Sequence, residues 1–317
     1  MNMHIKPFTL ITLLICSALI FSCLKSDDSN KTRITLSGAW ALYPMAVAWA
    51  EEYQNDHPNI IIDISAGGAG KGMADALSNT VDLGMVSRDV NEAEIAKGAW
   101  WVSVVKDAVV PVINSNNPLS EKIRERGLKN SEFTRIWVSG TIKKWNTLVS
   151  DAKDLPLRVY TRSDACGAAE TWAKYMEAKQ EDLKGVGVYG DPGIADAVKK
   201  DPLGLGYNNI NYAFDAKTKK PVDGITPLPL DINGNGKIDA NEKFYDTRDQ
   251  IVNAIASGKY PSPPARNLHL VSQGQPKDKE VKDFLYWILT DGQSMVDSAG
   301  YIPISKDLLE TQKNKLK

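Results

Sequence analysis

The chain has 317 residues, of which 43% are hydrophobic, and 38 basic against 39 acidic side chains give it a formal net charge of -1. This composition belongs to an ordinary soluble chain with enough apolar material for two lobes. It lacks the basic excess typical of nucleic-acid-binding proteins, so we expect no nucleic acid as a partner.

The N-terminal end has the layout of an export signal. Residues Met1–Lys6 are weakly basic and Phe8–Phe21 are nearly all apolar. The apolar stretch is too short for a comfortable transmembrane helix and fits a secretory signal. The stretch Ile20–Cys23, an aliphatic and then a small residue before cysteine, resembles a bacterial lipobox.

We therefore predict a lipoprotein signal peptide at residues 1–22, a lipid on Cys23 and a polar tether over residues 23–32. A membrane would then hold the protein through its lipid anchor alone, as a periplasmic or cell-surface lipoprotein. Cys16 leaves with the signal and Cys23 takes the lipid, so Cys166 remains alone. One thiol cannot support a disulfide framework.

A first strand, turn and helix follow the tether. Arg33–Leu36 alternates as a strand does, Ser37 and Gly38 form a turn, and Ala41–Asn55 has helical spacing with Pro44 in its first turn.

The second such segment is richer in glycine. An apolar, β-branched run over Ile60–Ile64 predicts a strand with both faces covered. Four glycines between residues 67 and 72 precede a short helix at Met73–Leu77. Because a helix start offers unpaired N–H groups, this segment is a candidate anion site, with a simple β–α turn as the alternative. A strand at Asp82–Val86 then leads to Ser87 and Arg88.

The third segment repeats the pattern. A strand at Leu157–Tyr160 leads to Arg162, and a helix is predicted over Ala168–Lys179 with Asp164 as its N-cap. A capped helix beside a solvated arginine is the alternative. Between the second and third segments, Trp101–Ile113 predicts two extended runs around Lys106 and Asp107.

Residues 231–242 have the spacing of an EF-hand-type calcium loop. Oxygen ligands at alternate positions wrap a hard cation, a glycine at position 6 permits the sharp turn, and a final Glu binds through two oxygens. The predicted Ca²⁺ ligands are Asp231, Asn233, Asn235, the carbonyl of Lys237, Asp239 and Glu242. We expect a single structural loop, with a polar hairpin as the alternative.

Taken in order, the motifs resemble the phosphate-binding proteins of the phosphate ABC transporter, the PstS-like group of type II periplasmic binding proteins. The matching pieces are Ser37-Gly38, Tyr43-Pro44, Gly68–Gly72, Thr80–Gly84, Ser87-Arg88, Gly140–Trp145, Arg162–Asp164, Leu205–Tyr207, Asp291–Gln293 and Gly300–Pro303. The resemblance implies an α/β fold of two lobes, each a mixed, mostly parallel sheet flanked by helices. Lobe I would comprise residues 33–113 and 265–317, and lobe II residues 114–264.

The resemblance also implies a function and a site. A member of this group captures phosphate or a related oxyanion between its lobes and delivers it to an ABC-transporter permease, and it is no enzyme. We expect a monomer. The implied ligand-binding residues are Ser37, Leu42, Tyr43, Gly68, Ala69, Gly70, Ser87, Arg88, Arg162, Cys166, Gly167 and Ala168.

The family's hydroxyl-bearing positions are changed in this chain. The first loop has Ala39-Trp40-Ala41-Leu42, the second Ala69, and the third Cys166 and Ala168 where the family carries Ser or Thr. The alternative function is therefore a related module that has lost phosphate and serves as a sensor or surface binding component for another ligand.

Several single residues have two interpretations. Cys166 at a helix start suits a nucleophile, or it is a small packed side chain in place of Ser. Trp40 either stacks on a ligand or packs in the core. Asp89 and Asp164 are candidates to accept a proton from a protonated oxyanion.

Overall fold

Two long strands run through both halves of the molecule. The computed structural model describes residues 31–149 and 154–317. In it, β4 (Ala99–Asn114) pairs antiparallel with β9 (Ala265–Gln273), with a bulge between Ser103 and Val105. The two extended runs predicted around Lys106 are therefore one strand. The predicted signal peptide, Cys23 and tether residues 23–30 lie outside the described residues.

The other strands surround this pair. They are β1 (Thr32–Gly38), β2 (Ile60–Ala66), β3 (Leu83–Val86), β5 (Arg158–Arg162), β6 (Val186–Val188), β7 (Gly204–Asn209) and β8 (Ile225–Pro227). The order across the sheet is β2-β1-β3-β9-β4-β7-β5-β6, and β8 pairs with β4. β1 runs parallel to β2 and β3, and β5 runs parallel to β6 and β7. The predicted mixed α/β architecture is confirmed, with antiparallel pairing confined to the strands around β4 and β9.

Helices cover the faces of this sheet. They are α1 (Tyr43–Asp56), α2 (Ala69–Leu77), α3 (Glu92–Ala96), α4 (Ser120–Arg126), α5 (Asn130–Phe133), α6 (Gly167–Tyr175), α7 (Gly190–Lys200), α8 (Ile210–Ala213), α9 (Arg248–Ala256), α10 (Lys279–Ile288) and α11 (Lys306–Lys315). A π-helical turn at Thr134–Val138 extends α5, and short 3-10 turns lie at Trp145–Thr147, Gln180–Asp182, Ala240–Glu242 and Asp291–Met295. Within the described part of the chain, none of these helices has the length and apolar character to cross a bilayer.

The buried apolar side chains form two separate cores, one per lobe. The first contains Trp49 and Phe284 together with the residues of β4 up to Val105. The second contains Trp137 and Trp172. Residues 108–113, assigned to lobe I from the sequence, pack in the second core, because β4 passes from one lobe to the other.

One strand differs in its surroundings from the prediction. β2 was expected to be covered on both faces, but it lies at the edge of the sheet and exposes Asp63. Arg33 of β1 pairs with that carboxylate. The pair keeps a charged, solvated face on an edge strand, as soluble proteins commonly do.

Candidate anion-binding cleft

Three helix starts meet where the two lobes face each other. α1 and α2 belong to lobe I and α6 to lobe II. Across the junction, the Gly70 amide of α2 donates to the carbonyl of Ala165, with a separation of 3.1 Å. On the lobe I side, the amides of Gly67 and Gly68 both donate to the carbonyl of Gly38. The structure thus brings the three predicted segments together at one place.

Glycines allow these segments to approach more closely than other residues would. A Cβ on Gly167 would lie 2.2 Å from the carbonyl oxygen of Ser87, across the junction between the lobes. A Cβ on Gly72, inside α2, would lie 2.4 Å from the carbonyl oxygen of Met85. Gly68 has a φ of 89°, which favours glycine. The glycine-rich stretch therefore serves helix–strand packing as well as the helix start, and α2 begins at Ala69 rather than at Met73.

Arg162 is buried and already paired with two carboxylates. Its Nε and Nη2 donate to the two oxygens of Asp164, at 2.8 and 2.6 Å, and its Nη1 donates to Asp191 at 2.7 Å. The guanidinium is 1% exposed. Although burial lowers the pKa of Arg162, the charges of Asp191 and Asp164 raise it, and the pKa lies above its ordinary value. Arg162 therefore stays charged, and two carboxylates more than balance its charge within the protein.

Asp191 is a site residue that the sequence analysis missed. It lies in the first turn of α7 and is 1% exposed. Its Oδ1 accepts hydrogen bonds from the backbone amide and the side-chain amide of Asn209, and its carbonyl accepts one from Asn208. An acidic residue after a glycine at a helix start is the only sequence signal for it, and that pattern is common.

The start of α6 differs from the prediction. Asp164 was expected to cap this helix, but its carboxylate is held by Arg162 and accepts from the Gly190 amide. Cys166 is the N-cap, and its sulfur accepts from the amide of Ala169 at 3.4 Å. Burial raises the pKa of the Cys166 thiol to about 12. The thiol is therefore neutral at physiological pH, which rules against its use as a nucleophile.

Arg88 bridges the lobes by pairing with a carboxylate of lobe I and with one in the first turn of α6. Its Nη1 and Nη2 donate to both oxygens of Glu94, at 2.9 and 2.6 Å, and its Nε lies 3.0 Å from the carboxylate of Glu170 on α6. Hydrogen bonding to Glu94 and the charge of Glu170 raise the pKa of Arg88. Beside it, Asp89 pairs with Lys174 of lobe II.

The predicted binding residues of lobe I that precede α2 form hydrogen bonds within their own lobe. The hydroxyl of Ser37 donates to Asp75 at 2.6 Å, and Lys71 pairs with the same carboxylate. Leu42 is the N-cap of α1, and the amides of Leu42 and Tyr43 donate to the carbonyl of Ala39. None of these groups forms a hydrogen bond across the cleft within residues 31–149 and 154–317.

Ala69 is the first residue of α2 and Ala168 the second residue of α6, and both are buried. Their methyl groups leave the helix starts without hydroxyl donors, as the sequence predicts.

Trp40 packs across the cleft. Its indole ring lies 3.3 Å from the Cβ position of Gly190 and has Tyr43 and Tyr189 as aromatic neighbours. Its carbonyl accepts from the hydroxyl of Tyr212 on lobe II, while the indole nitrogen is buried without a hydrogen-bond partner in the described residues. The ring therefore packs at the junction between the lobes, and stacking of Trp40 on a ligand stays a prediction.

A cavity of about 770 Å³ opens at the mouth of the cleft. Asp89 and Asn91 line it from lobe I, and Arg162, Ala165 and Lys174 line it from lobe II. The carboxylates of Asp164 and Glu170 stand beside the two arginines. Because carboxylates only accept hydrogen bonds, an oxyanion bound here must either carry protons or displace a carboxylate from its arginine.

The predicted calcium loop is a separate feature of lobe II. Its backbone is tied to the end of α4, where the Asp231 amide donates to Leu128 and the Ile238 amide to Glu125. Within the described residues, no three His, Cys, Asp or Glu side chains are already arranged to hold a metal ion.

Comparison with known proteins identifies the family. Residues 25–292 match the PBP superfamily domain. The chain is 25% identical to a phosphate-binding protein PstS from Xylella fastidiosa, over 98% of this chain and 97% of the relative. It is 24% identical to the PstS of Bacillus subtilis, over 89% of this chain and 84% of the relative.

A solved structure shares the fold. A phosphate ABC transporter substrate-binding protein from Clostridium perfringens superposes with a TM-score of 0.70 at 21% identity, over 86% of this chain and all of the other. The resemblance inferred from the motifs and the predicted two-lobed type II fold are confirmed, and the relatives are binding proteins rather than enzymes. The chain belongs to the family of the PBP superfamily domain, the periplasmic binding proteins.

Proposed function

We propose that this protein captures phosphate, or a related small oxyanion, between its two lobes for uptake by an ABC transporter. The observation that carries the proposal is the position of Arg162, a buried guanidinium beside three helix starts that meet between the lobes. Relatives spanning nearly the whole chain are named phosphate-binding proteins, which supports this ligand.

Capture would proceed by hinge closure about β4 and β9, the two strands that cross between the lobes. In the closed arrangement Ala165 accepts the Gly70 amide, so opening the cleft frees that amide. An entering oxyanion would accept hydrogen bonds from the Gly70 amide and the Arg162 guanidinium, and a protonated oxygen of that oxyanion would donate a hydrogen bond to Asp164. Ser87 and Arg88 would contact the oxyanion from lobe I. Contacts from both lobes to the ligand would then replace the Gly70–Ala165 hydrogen bond in favouring closure.

The N-terminal sequence supports a proposal for the cellular location of the protein and its attachment to a membrane. We propose export to the periplasm or cell surface, cleavage before Cys23 and attachment through a lipid on that residue. The protein would act as a monomer and present its ligand to a membrane permease. Metabolic labelling with a fatty-acid analogue tests the anchor, because Cys23→Ser should abolish the label and release the protein from the membrane. Label retained by that variant contradicts the anchor.

Calorimetric titration at neutral pH tests the proposed ligand, with phosphate, sulfate, molybdate and small carboxylates as candidates. We expect phosphate to release or absorb heat and to raise the melting temperature. Arg162→Gln should abolish both effects, whereas Arg158→Gln, on the exposed face of the same strand, should preserve them. Wild-type protein with no heat and no melting shift at millimolar phosphate would rule the proposal out.

A second candidate is a module of the same fold that has lost phosphate and senses another ligand. The favouring observation is chemical: Leu42, Ala69 and Ala168 offer no hydroxyl donors, and Arg162 is fully paired without a ligand. In the same titration series, a melting shift with another candidate but none with phosphate supports this alternative.

A further inference from the structure

We propose that residues 231–242 form a Ca²⁺ site on lobe II, a feature independent of anion capture. The chemistry is that of a hard divalent cation held by oxygen atoms alone. It depends on two separate observations, the residue types at fixed positions of the loop and the burial of two carboxylates within it.

The residue types match a calcium loop position by position. Oxygen-bearing side chains occupy positions 1, 3, 5, 9 and 12 of the loop, and a backbone carbonyl serves position 7. Gly236 at position 6 has a φ of 87°, a conformation that few other residues adopt. Ile238 occupies the apolar eighth position and is 8% exposed.

The burial of Asp231 and Glu242 is the second observation. Each residue is 2% exposed. Within residues 31–149 and 154–317, neither carboxylate forms an ion pair with a Lys, Arg or His side chain. Backbone amides donate to both carboxylates, but amides carry no net charge. These amides and the more distant charge of Arg126 lower the cost of burying the carboxylates, but they leave two negative charges in one loop, which a bound cation would balance.

The loop needs only side-chain rearrangement to accept the ion. Asp239 now accepts hydrogen bonds from the side-chain amides of Asn233 and Asn235, and Lys237 pairs with it. These contacts explain why no three acidic side chains yet converge. The Oδ1 atoms of Asn233 and Asn235 accept from the amides of Asn235 and Lys237, and each of these carbonyl oxygens keeps a second lone pair for a cation.

The ion would stabilise lobe II directly. Ile238 packs against Gly127, where an added Cβ would lie 2.3 Å from the Ile238 Cδ1 atom. The Ile238 amide donates to the carbonyl of Glu125 at 2.8 Å, and the Asp231 amide donates to Leu128 at 3.0 Å. These anchors fasten the loop to the end of α4, and none of them is a residue of the anion cleft.

Titration of chelator-treated mature protein with CaCl₂ tests the proposal. We expect measurable heat and, at a Ca²⁺ concentration of about 100 times Kd, a melting temperature raised by about 5 °C. MgCl₂ should bind more weakly, because Mg²⁺ demands octahedral geometry and keeps its waters. Equal affinity for both ions would overturn the assignment to calcium, and no response to Ca²⁺ would overturn the site.

Two variants localise the ion. Glu242→Gln removes the ligand expected to bind through two oxygens and should weaken Ca²⁺ binding by at least about 10-fold. Asp239→Asn removes charge from a partly exposed residue, so it should fold normally and weaken binding in the same direction. The matched control is Asp246→Asn, an exposed acidic residue just beyond the loop, which should bind Ca²⁺ as the wild type does. Unchanged Kd in both loop variants would contradict the proposal.

Discussion

The guanidinium of Arg162 donates to the carboxylate of Asp191 at 2.7 Å, and both side chains are 1% exposed. This pair joins the end of β5 to the first turn of α7 beside the anion cleft. Together with Asp164, it places two negative charges beside the one positive charge of Arg162 when no anion is present. When an oxyanion binds, Arg162 must therefore exchange a carboxylate for the oxyanion as its hydrogen-bond partner. The affinity of the protein for the oxyanion then depends on the free-energy cost of breaking the hydrogen bonds between Arg162 and that carboxylate.

Replacement of Asp191 should be strongly destabilising. Asp191→Asn leaves the buried Arg162 guanidinium with one carboxylate in place of two, and the loss of a charge-assisted buried hydrogen bond costs about 1.5 to 3 kcal/mol. Urea unfolding monitored by tryptophan fluorescence measures this cost. Asp196→Asn, on an exposed turn of the same helix, should change the free energy of unfolding by less than about 0.5 kcal/mol. Equal stability of the two variants would contradict the structural role of Asp191.

Restoring hydroxyls at the helix starts should strengthen phosphate binding. Ala168→Ser and Ala69→Ser each place one donor at the start of a helix that faces the cleft. A hydrogen bond of about 1 kcal/mol corresponds to roughly a 5-fold gain in affinity. Titration calorimetry with phosphate measures it, and Ala74→Ser, exposed and farther along α2, is the control. Affinity unchanged in both cleft variants would indicate that the ligand does not approach these positions.

The sequence predicted the local parts of this site well because each part depends on neighbouring residues. A strand, a glycine turn and a helix start follow from propensity and periodicity within about fifteen residues, and Arg162 stands at the strand end where it was expected. The partners of Arg162 and Arg88 were harder to predict. Asp191 comes from a helix almost thirty positions away, and Glu170 reaches Arg88 from the other lobe, so only the three-dimensional fold pairs them.

Two secondary-structure elements also could not be predicted correctly, because their surroundings depend on distant parts of the chain. α11 was not predicted, because its sequence is mostly polar and its one buried residue, Gln312, accepts a hydrogen bond from the Ser103 amide of β4. β2 looked like a buried strand from its isoleucines, but its place at the sheet edge depends on the order of strands. The apolar pattern of one strand does not show which strand is left at the edge, which depends on strand order, or which face is covered, which depends on the helices packed against the sheet.

Cys166 should be unreactive in the folded protein. Burial raises the pKa of its thiol to about 12, so almost no thiolate is present at pH 8, and the residue is 5% exposed. In a chain whose Cys16 and Cys23 are replaced by serine, reaction with a disulfide reagent should be slower by at least about 100-fold in buffer than in denaturing urea. A fast reaction in buffer would show that the start of α6 opens or that the thiolate forms there.

His269 is a buried neutral histidine that should make the protein sensitive to acid. It lies on β9, is 5% exposed, and its Nδ1 is 3.0 Å from the hydroxyl of Ser103. Burial lowers its pKa from 6.5 to about 4, against the opposing charge of Asp89. Since the folded pKa is below the unfolded one, this stabilising contribution is present above pH 6.5 and is lost as the pH falls toward 4.

The loss attributable to His269 is on the order of 3 kcal/mol between pH 6.5 and pH 4. Urea unfolding at a series of pH values should therefore show a shallower decline in His269→Asn than in wild type. His57→Asn, at the end of α1, is the matched control and should decline as steeply as wild type. NMR titration of the imidazole ring gives a direct check, because a pKa of His269 near 6.5 in the folded protein would remove the physical basis for the expected difference.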